Sequence, residues 1–461
     1  MALTLTDISN EPTVADTQFD QRYNEMLRAY QISGAAQKVN FRTLIEVPGF
    51  PDRGTHLIHS YPAKLITHIP YFFLSCNRFF QMGTSVLDPF CGSGTVLLEA
   101  LIQGKNAIGI DVNPLATEIA FSKTLNIDIE ILKRILGNLK RELAVASSEH
   151  LPYPDVVNLQ YWFRPELVPQ INNLRSTLLR IENNDAKRFF LICFSSMLRK
   201  FSLADPSVSV PVKLKPSRFK KGTLKRKKSE RFLFEQQFLD INEAFFEIAY
   251  ANIRRLESVP FSKDTTCKII QNDTRTYKLP ACTADLIITS PPYAGAQKYI
   301  RSSSLNIGWL GLEASYRLKH LNKQSVGREA FSKAELRSFK PHNDPYLVQL
   351  VETLKTKNIV RAKLISEYFH DLNDSLENAI TALKPGGYAI VIIGNTTACD
   401  QLIEIDRALK FIMKSLNADV ELHLIDEIKS RGLITKRNKT AGIITQEHII
   451  VFKKEATFDA V

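Results

Sequence analysis

The chain has 461 residues, a formal net charge of +12 and 44% hydrophobic residues, a composition that supports a substantial folded core. Its length suggests two to three domain-sized units, or one domain with a large insertion. No apolar run reaches the length of a membrane span and the N-terminus lacks a signal-peptide pattern, so we expect a cytoplasmic protein without a membrane partner. The six cysteines are scattered, which argues against a disulfide framework or a zinc site, and we expect no metal.

Two segments precede the first predicted strand. Residues 1–55 are polar and mixed, with one predicted helix at 19–30, and we expect them to form an N-terminal arm. From Pro62 onward the apolar residues follow helical spacing, with proline near the start, which predicts a helix over about 62–73. The pattern assigns no task to the arm.

The first strand–loop–helix–strand unit lies between residues 85 and 111. A strand end at 85–88 is followed by the glycine-bearing turn Pro89–Thr95, a helix start at 96–101 and a second strand at 107–110. The glycines allow a ligand to approach the backbone, and Asp111, 19 residues after the first glycine, is suited to hold ribose hydroxyls. The alternative is a structural turn. The loop is not the dinucleotide fingerprint, so the unit predicts a nucleoside site without a pyrophosphate.

The segment from about 115 to 262 has mostly helical periodicity. Two neighbouring strands rarely need so long a crossover, so residues 126–265 are interpreted as an inserted helical subdomain. The predicted helices lie at 129–143, 167–181, 189–198 and 232–256.

The centre of this insertion, 204–228, is predicted to be irregular and carries most of the excess positive charge. Ten basic residues lie between positions 211 and 231, where only Glu230 opposes them. Such a run favours a polyanion, because counterion release from phosphates drives binding. A solvated, disordered loop and a nuclear localisation signal are the alternatives. The candidate nucleic-acid contacts are Lys213, Lys215, Arg218, Lys220, Lys221, Lys225, Arg226, Lys227 and Lys228.

The apolar run 284–288 predicts a buried strand that ends at Ser290-Pro291-Pro292-Tyr293. Two prolines cannot continue a strand, because neither donates a ladder hydrogen bond and both fix φ. The chain must leave the sheet here as a stiff loop with free carbonyls, a serine hydroxyl and an aromatic ring. This combination suits a flat molecule with an amino group, and a Pro-Pro turn that merely caps a strand is the alternative.

The remaining pattern alternates strands and helices. Strands are predicted at 266–270, 388–393, 420–424 and 448–452, with helices at 365–383 and 403–416. This alternation predicts an α/β fold, a Rossmann-like, doubly wound and mostly parallel sheet with an inserted, mainly helical subdomain. The sheet domain would comprise residues 56–125 and 266–461, and 301–362 would form a polar excursion from it.

Together these motifs resemble the S-adenosylmethionine-dependent amino-methyltransferases of DNA, which methylate cytosine N4 or adenine N6. The resemblance implies a class I methyltransferase fold, S-adenosylmethionine as cofactor and double-stranded DNA as partner, near the nucleoid in a prokaryote. It implies a catalytic loop made of Ser290, Pro291, Pro292 and Tyr293. The implied cofactor-binding residues are Tyr61, Lys64, Asp88, Pro89, Phe90, Gly92, Gly94, Thr95, Asp111 and Asp273.

The order of the two loops bears on the recognition region. Ser290 lies about 200 residues after Gly92, whereas enzymes with these loop forms often have the reverse order. The order found here resembles the arrangement with a central target-recognition region, which makes 126–265 the candidate. The serine form of the catalytic loop is more often associated with cytosine N4, so we expect a site-specific cytosine-N4 enzyme. Adenine N6, an RNA N-methyltransferase and a catalytically silent nucleic-acid-binding module are the alternatives.

Overall fold

A central sheet organises the chain in a computed structural model, which describes residues 14–45, 50–62, 64–79, 84–144, 151–294, 299–328, 330–427 and 445–456. The strands in these ranges are β1 (Gln37–Val39), β2 (Ser85–Asp88), β3 (Asn106–Asp111), β4 (Cys267–Gln271), β5 (Ala284–Thr289), β6 (Leu383–Ile393), β7 (Thr396–Ala398), β8 (Gln401–Ile403), β9 (Ala418–Glu427) and β10 (Gln446–Lys454). Eight of them form one sheet in the order β1-β9-β10-β6-β5-β2-β3-β4, while β7 and β8 pair separately. The eight-stranded sheet is parallel except where β10 pairs with β6 and β9.

Helices cover both faces of this sheet, because its central strands are apolar on both sides. Along β5, Ile287 packs into a cluster with Tyr368 on one face, and Ile288 packs into a cluster with Phe72 on the other. The structure confirms the predicted α/β, mostly parallel, doubly wound sheet. The helices are α1 (Val14–Ser33), α2 (Phe41–Leu44), α3 (His68–Leu74), α4 (Thr95–Ile102), α5 (Pro114–Lys123), α6 (Ile129–Ala144), α7 (Leu159–Trp162), α8 (Val168–Leu179), α9 (Asn184–Phe201), α10 (Leu224–Glu235), α11 (Ile241–Glu257), α12 (Tyr299–Leu310), α13 (Leu318–Gln324), α14 (Pro345–Lys357), α15 (Ile359–Ala382) and α16 (Ile405–Ser415).

The helical insertion shares its core with the sheet domain. Phe194 and Phe245, from α9 and α11, lie in the same buried cluster as Ile119 of α5 and Trp309 of α12. Helix α5 belongs to the first half of the sheet domain, and α12 follows the loop after β5. The insertion is therefore anchored on both sides of the predicted ligand-binding region.

Two local predictions are wrong. The helix predicted from Pro62 begins only at His68, because side chains of the preceding segment bond to other parts of the chain. The Tyr61 hydroxyl accepts a hydrogen bond from Asn113, and the Lys64 ammonium donates to the His56 carbonyl.

The basic segment is also more regular than predicted. Thr223 caps α10 by accepting a hydrogen bond from the Arg226 amide, so residues 224–228 are helical rather than irregular. Upstream, Ala204 and Lys213 form an antiparallel bridge that closes a short turn.

The N-terminal segment, which was expected to form an arm, contributes to the core from the first described helix onward. Phe19, Tyr23 and Phe41 are buried in the cluster beneath the sheet, and β1 pairs in parallel with β9 at the sheet edge. Residues 1–13 lie outside the described part of the chain. No helix in the described ranges is long and apolar enough to cross a membrane.

A buried ion cluster fixes helix α4, which follows the glycine-bearing loop. Glu99 on α4 is fully buried, accepts a hydrogen bond from Arg53 and lies 2.6 Å from His56 Nε2. Burial alone would raise the pKa of Glu99, but Arg53 and His56 outweigh burial and lower it. The Arg53 guanidinium also lies over the Phe50 ring, 4.3 Å from its centroid. The cluster joins the segment before β2 to the helix behind the loop.

We expect Arg53→Ala to lower the free energy of unfolding by about 3 kcal/mol, because it leaves the Glu99 carboxylate buried without its arginine. Urea denaturation measures this loss. Arg231→Ala is the matched control, because Arg231 pairs with Glu235 on an exposed helix face and should change stability very little. A loss for Arg53→Ala no larger than that of the control would contradict the role of the cluster.

Candidate active site

A crevice opens where neighbouring parallel strands β2 and β5 lead the chain in opposite directions. After β2 the chain continues to β3 on one side, and after β5 it continues to β6 on the other. The loops at the carboxyl ends of such strands diverge and leave room for a ligand. The cavity between them has an empty volume of about 640 Å³ and opens to solvent. It is lined by Tyr61, Phe90, Gly92, Asp111, Val112, Asn113, Asp273, Thr274, Ser290, Pro292, Tyr299, Gln324, Ser325 and Val326.

Asp111 lies at the end of β3 with its carboxylate held by two backbone amides. Gly92 N–H donates to one carboxylate oxygen at 2.9 Å, and Asn113 N–H donates to the other at 2.8 Å. Burial raises the pKa of Asp111 to about 6, although both hydrogen bonds act in the opposite direction. A carboxylate has about four acceptor positions, so the two that remain suit a vicinal diol. The geometry fits the ribose of a nucleoside.

Two glycines shape the loop after β2 for different reasons. Gly92 has φ of +49°, and a Cβ placed there would lie 3.8 Å from the Tyr61 ring, on the cavity side. Gly94 has φ of +75°, and a Cβ there would lie 2.9 Å from Ala120 Cβ on α5. Gly92 therefore keeps the cavity wall accessible, while Gly94 allows the loop to pack on α5.

Asp88 connects the two loops beneath the cavity rather than lining it. Its Oδ1 accepts hydrogen bonds from the Thr289 hydroxyl at 2.7 Å and from the Phe90 amide at 3.1 Å. Burial raises the pKa of Asp88 to about 7, while these two bonds lower it. Two further predicted residues, Pro89 and Thr95, also support the loop. The Pro89 carbonyl accepts a 2.6 Å bond from Thr274, and Thr95 is buried at the start of α4.

Asp273 forms another wall of the cavity and is held by an arginine. Arg275 donates to Asp273 at 2.6 Å and to Asp371 of α15 at 2.6 Å. The same guanidinium donates to the Lys323 carbonyl, and the next residues, 324–326, line the cavity. The sequence pattern did not predict that residues 324–326 line the cavity, since they fall in the expected polar excursion 301–362.

Tyr61 is connected to the helical layer through Asn113. The Asn113 side-chain amide donates to the Tyr61 hydroxyl at 3.0 Å and to the Ser303 hydroxyl of α12 at 3.1 Å. Asn113 was not among the predicted site residues. Its position before Pro114 at the start of α5 was the available signal, since Asn-Pro marks a helix N-cap. Lys64 does not line the cavity.

The loop after β5 presents Ser290 and Pro292 to the cavity. Tyr293 does not line the cavity, and its hydroxyl donates to Glu447 Oε1 of β10 at 2.9 Å. Burial and the neighbouring Glu447 raise the pKa of Tyr293 well above its usual value. The aromatic ring that does line the cavity here is that of Tyr299, which sequence analysis did not identify. Pro291 is buried behind the loop.

The basic run lies apart from the cavity, on the outer surface of the helical insertion. None of its nine predicted contact residues lines the cavity, and seven of them are exposed. Lys213 and Arg226 are half-buried. The Lys213 ammonium lies 4.3 Å from the Tyr161 ring centroid, and Arg226 pairs with Glu230.

One cluster in the described ranges brings possible metal ligands together, namely Asp406, His423 and His448. His423 Nε2 lies 2.9 Å from His448 Nδ1, closer than two nitrogens of one tetrahedral metal site would lie. The Lys410 ammonium lies 3.0 Å from the other ring nitrogen of His423, where it opposes a second cation. The cluster is therefore a hydrogen-bond network.

Comparison with known proteins finds similarity to DNA methylases. A family model described as DNA methylase matches residues 54–122, which include the loop after β2 and Asp111. The Type II methyltransferase M.MvaI of Kocuria varians is 24% identical over 430 residues, which are 87% of this chain and 91% of that protein. The matched model and the relatives named as Type II methyltransferases support an amino-methyltransferase family for this chain. Enzymes of this family use S-adenosylmethionine as methyl donor, and the nucleoside-shaped wall around Asp111 fits that donor.

Two other similar proteins match different shares of this chain. The Type II methyltransferase M.MjaII of Methanocaldococcus jannaschii is 43% identical over 81 residues, which are 18% of this chain and 15% of that protein. A solved SAM-dependent methyltransferase of Methanosarcina mazei covers 83% of this chain and 97% of its own, with 8% identity and a TM-score of 0.29.

We expect Asp111→Asn to raise the dissociation constant for S-adenosylmethionine at least about tenfold, because the amide removes one acceptor and the negative charge. Isothermal titration calorimetry measures this change. In the wild type, affinity should also fall as pH drops through about 6, since burial raises the pKa of Asp111 to about 6 and protonation removes an acceptor.

The matched control is Asp128→Asn, at the exposed residue before α6, where asparagine also accepts the hydrogen bond from the Glu130 amide. An unchanged affinity in Asp111→Asn would contradict the ribose role.

Proposed function

We propose that this methyltransferase acts on duplex DNA, transferring the methyl group of S-adenosylmethionine to the N4 amino group of a flipped-out cytosine. One observation carries the proposal. Ser290 and Pro292, from the loop after β5, line the same cavity as Gly92, Asp111 and Asp273. A nucleoside held at Asp111 and a base held at Ser290 would therefore meet within one cavity.

The catalytic loop would act by accepting hydrogen bonds. An exocyclic amino nitrogen is a weak nucleophile, because its lone pair is delocalised into the ring. The Ser290 hydroxyl oxygen and the Pro291 carbonyl would accept the two amino hydrogens and draw that lone pair out of conjugation. S-adenosylmethionine supplies an activated methyl group on a sulfonium. Holding the two reactants in line at short distance would provide most of the acceleration.

The cofactor would lie along the opposite walls. Asp111 would hold the ribose, Asp273 the adenine and the Gly92 backbone the part between them. Tyr61 would close over the methionine end, and Lys64 would support that segment through its 2.9 Å bond to the His56 carbonyl. The remaining predicted residues, Asp88, Pro89, Phe90, Gly94 and Thr95, would shape the loop that carries Gly92.

Cytosine is favoured over adenine because the loop begins with serine at position 290. In the family that this loop resembles, the serine form is more often associated with cytosine N4 and the aspartate form with adenine N6. The target base is paired inside a duplex, so it must be flipped into the cavity. The loop motif assigns the stacking contact to Tyr293, although the ring that lines the cavity beside Ser290 is that of Tyr299. Such a stack contributes about 1–3 kcal/mol per base.

DNA would be recognised by the helical insertion 126–265, whose exposed basic run supports contacts to phosphates. Because this insertion shares its core with α5 and α12, the bound duplex would have a fixed position relative to the cavity. The relatives named Type II methyltransferases support a setting in restriction–modification.

We expect Ser290→Ala and Tyr293→Ala to lower labelled methyl transfer to duplex DNA at least about a hundredfold, while the affinity for S-adenosylmethionine changes less than about threefold. Both side chains act on the base rather than on the cofactor. The matched controls are Ser304→Ala and Tyr316→Ala. Ser304 donates to the Arg301 carbonyl outside the cavity, and Tyr316 is 79% exposed. Near-normal turnover in either loop variant would contradict its role, and preferred transfer to structured RNA would contradict duplex DNA as the substrate.

We expect the triple change Lys225→Gln, Lys227→Gln and Lys228→Gln to weaken DNA binding and flatten its dependence on salt, by up to about 0.9 in the logarithmic slope per lost phosphate contact. Fluorescence anisotropy over a salt series measures this slope. The matched control removes equal charge from the exposed face of α6 by Arg134→Gln, Lys140→Gln and Arg141→Gln. Equal slopes for the two triple variants would identify the basic run as a solvated surface.

A further inference from the structure

A chain of hydrogen-bonding side chains leads from the catalytic loop into the sheet. Ser290 precedes Tyr293 by three residues in the loop after β5, and a hydrogen bond from its side chain acts to lower the pKa of the Tyr293 hydroxyl. The Tyr293 hydroxyl in turn donates to Glu447 Oε1 at 2.9 Å. Glu447 lies near the start of β10 and is 154 residues away from Tyr293 in the sequence. The hydrogen bonds that begin in this loop therefore end at a carboxylate on β10.

The directions of these bonds determine what Ser290 can do. A carboxylate only accepts, so Tyr293 must donate its single hydroxyl proton to Glu447. The Tyr293 oxygen is then available to accept the proton of Ser290. With its own proton directed away from the cavity, the Ser290 oxygen presents lone pairs to the cavity. This orientation is the one that an acceptor for a base amino group requires.

The surroundings of Glu447 make it a stronger base than an ordinary glutamate. Burial raises the pKa of Glu447, and the facing Asp426 on β9 raises it further. The hydrogen bond from Tyr293 and the charge of Arg42 on α2 lower this pKa, but the net effect is a rise. Asp426 is the direct cross-strand neighbour of Glu447 and forms a 3.5 Å ion pair with Arg42. Glu447 therefore takes up a proton at a higher pH than an ordinary glutamate does.

We propose that Glu447 is a positioning residue for methyl transfer, which acts through Tyr293 to orient Ser290 and takes up the proton released by the methylated amino group. The inference rests on the proposed function. The new N–C bond forms as the sulfonium S–C bond breaks, and S-adenosylhomocysteine leaves. The excess proton on nitrogen passes to Ser290 Oγ, the Ser290 proton passes to Tyr293 and the Tyr293 proton passes to Glu447 Oε1. Each hydroxyl gains one proton as it loses one, so neither oxygen becomes an anion.

A second tyrosine–glutamate hydrogen bond in the protein provides a control for this relay. Tyr23 donates to Glu421 of β9 at 2.8 Å, and the Tyr23 side chain is fully buried. Glu421 lies five residues before Asp426, which is about 17 Å along the strand. Tyr23→Phe and Glu421→Gln therefore remove the same chemical groups from an equivalent bond that lies outside the cavity.

The experiment measures single-turnover methyl transfer to duplex DNA against pH, at saturating S-adenosylmethionine, for the wild type, Glu447→Gln, Tyr293→Phe and the double variant. We expect each single variant to be about ten- to a hundredfold slower than the wild type at neutral pH. The ratio of wild-type to variant rate should fall toward one as the pH drops through the pKa of Glu447, since the wild-type carboxylate is then protonated. Asp88 and Asp111 are present in the wild type and in every variant, so the effect of their protonation on the rate cancels in this ratio.

The double variant should be no slower than the single ones, because the two groups act in one relay. Tyr23→Phe and Glu421→Gln should give a ratio near one at every pH. A ratio for Glu447→Gln that does not change with pH, in a wild type that methylates DNA, would overturn the relay and leave the proposed function intact. A wild type that methylates no DNA would overturn both.

Discussion

The hydrogen bond from Thr289 to Asp88 joins the two strands on which the site depends. This 2.7 Å bond connects β5 to β2 at the point where both strands end and their loops diverge. One loop carries Gly92 and the other carries Ser290, so this contact holds together the starts of the two loops that line the cavity. Because Asp88 is buried, the bond also satisfies a carboxyl group that would otherwise be costly to bury. The cavity between the loops is thus a consequence of strand order.

Local patterns in the sequence were sufficient to predict the sheet and part of the site. Apolar runs predicted the main strands, and a glycine turn followed 19 residues later by Asp111 predicted two residues that line the cavity. These signals are local because a strand, its turn and the next helix are continuous in the chain. The family comparison, which matches residues 54–122, covers the same part.

The parts that could not be predicted are made by contacts between distant residues. The wall at 324–326 depends on Arg275 reaching the Lys323 carbonyl, and the Tyr293–Glu447 bond joins residues 154 positions apart. The late start of the helix predicted from Pro62 has the same cause. Apolar spacing there is helical, but the Tyr61 and Lys64 side chains bond to other segments, and the helix begins only at His68. Tertiary contacts outweigh a propensity of a few tenths of a kcal/mol per residue.

Nucleoside mass spectrometry tests most directly whether cytosine N4 is the methylated position. Duplex DNA is incubated with the methyltransferase and S-adenosylmethionine that carries a deuterated methyl group, then digested to nucleosides. The account predicts deuterated N4-methylcytosine and no label on adenine. Label in N6-methyladenine would contradict the assignment that rests on Ser290, and an unlabelled duplex with an enzyme that binds the cofactor would contradict catalysis on DNA.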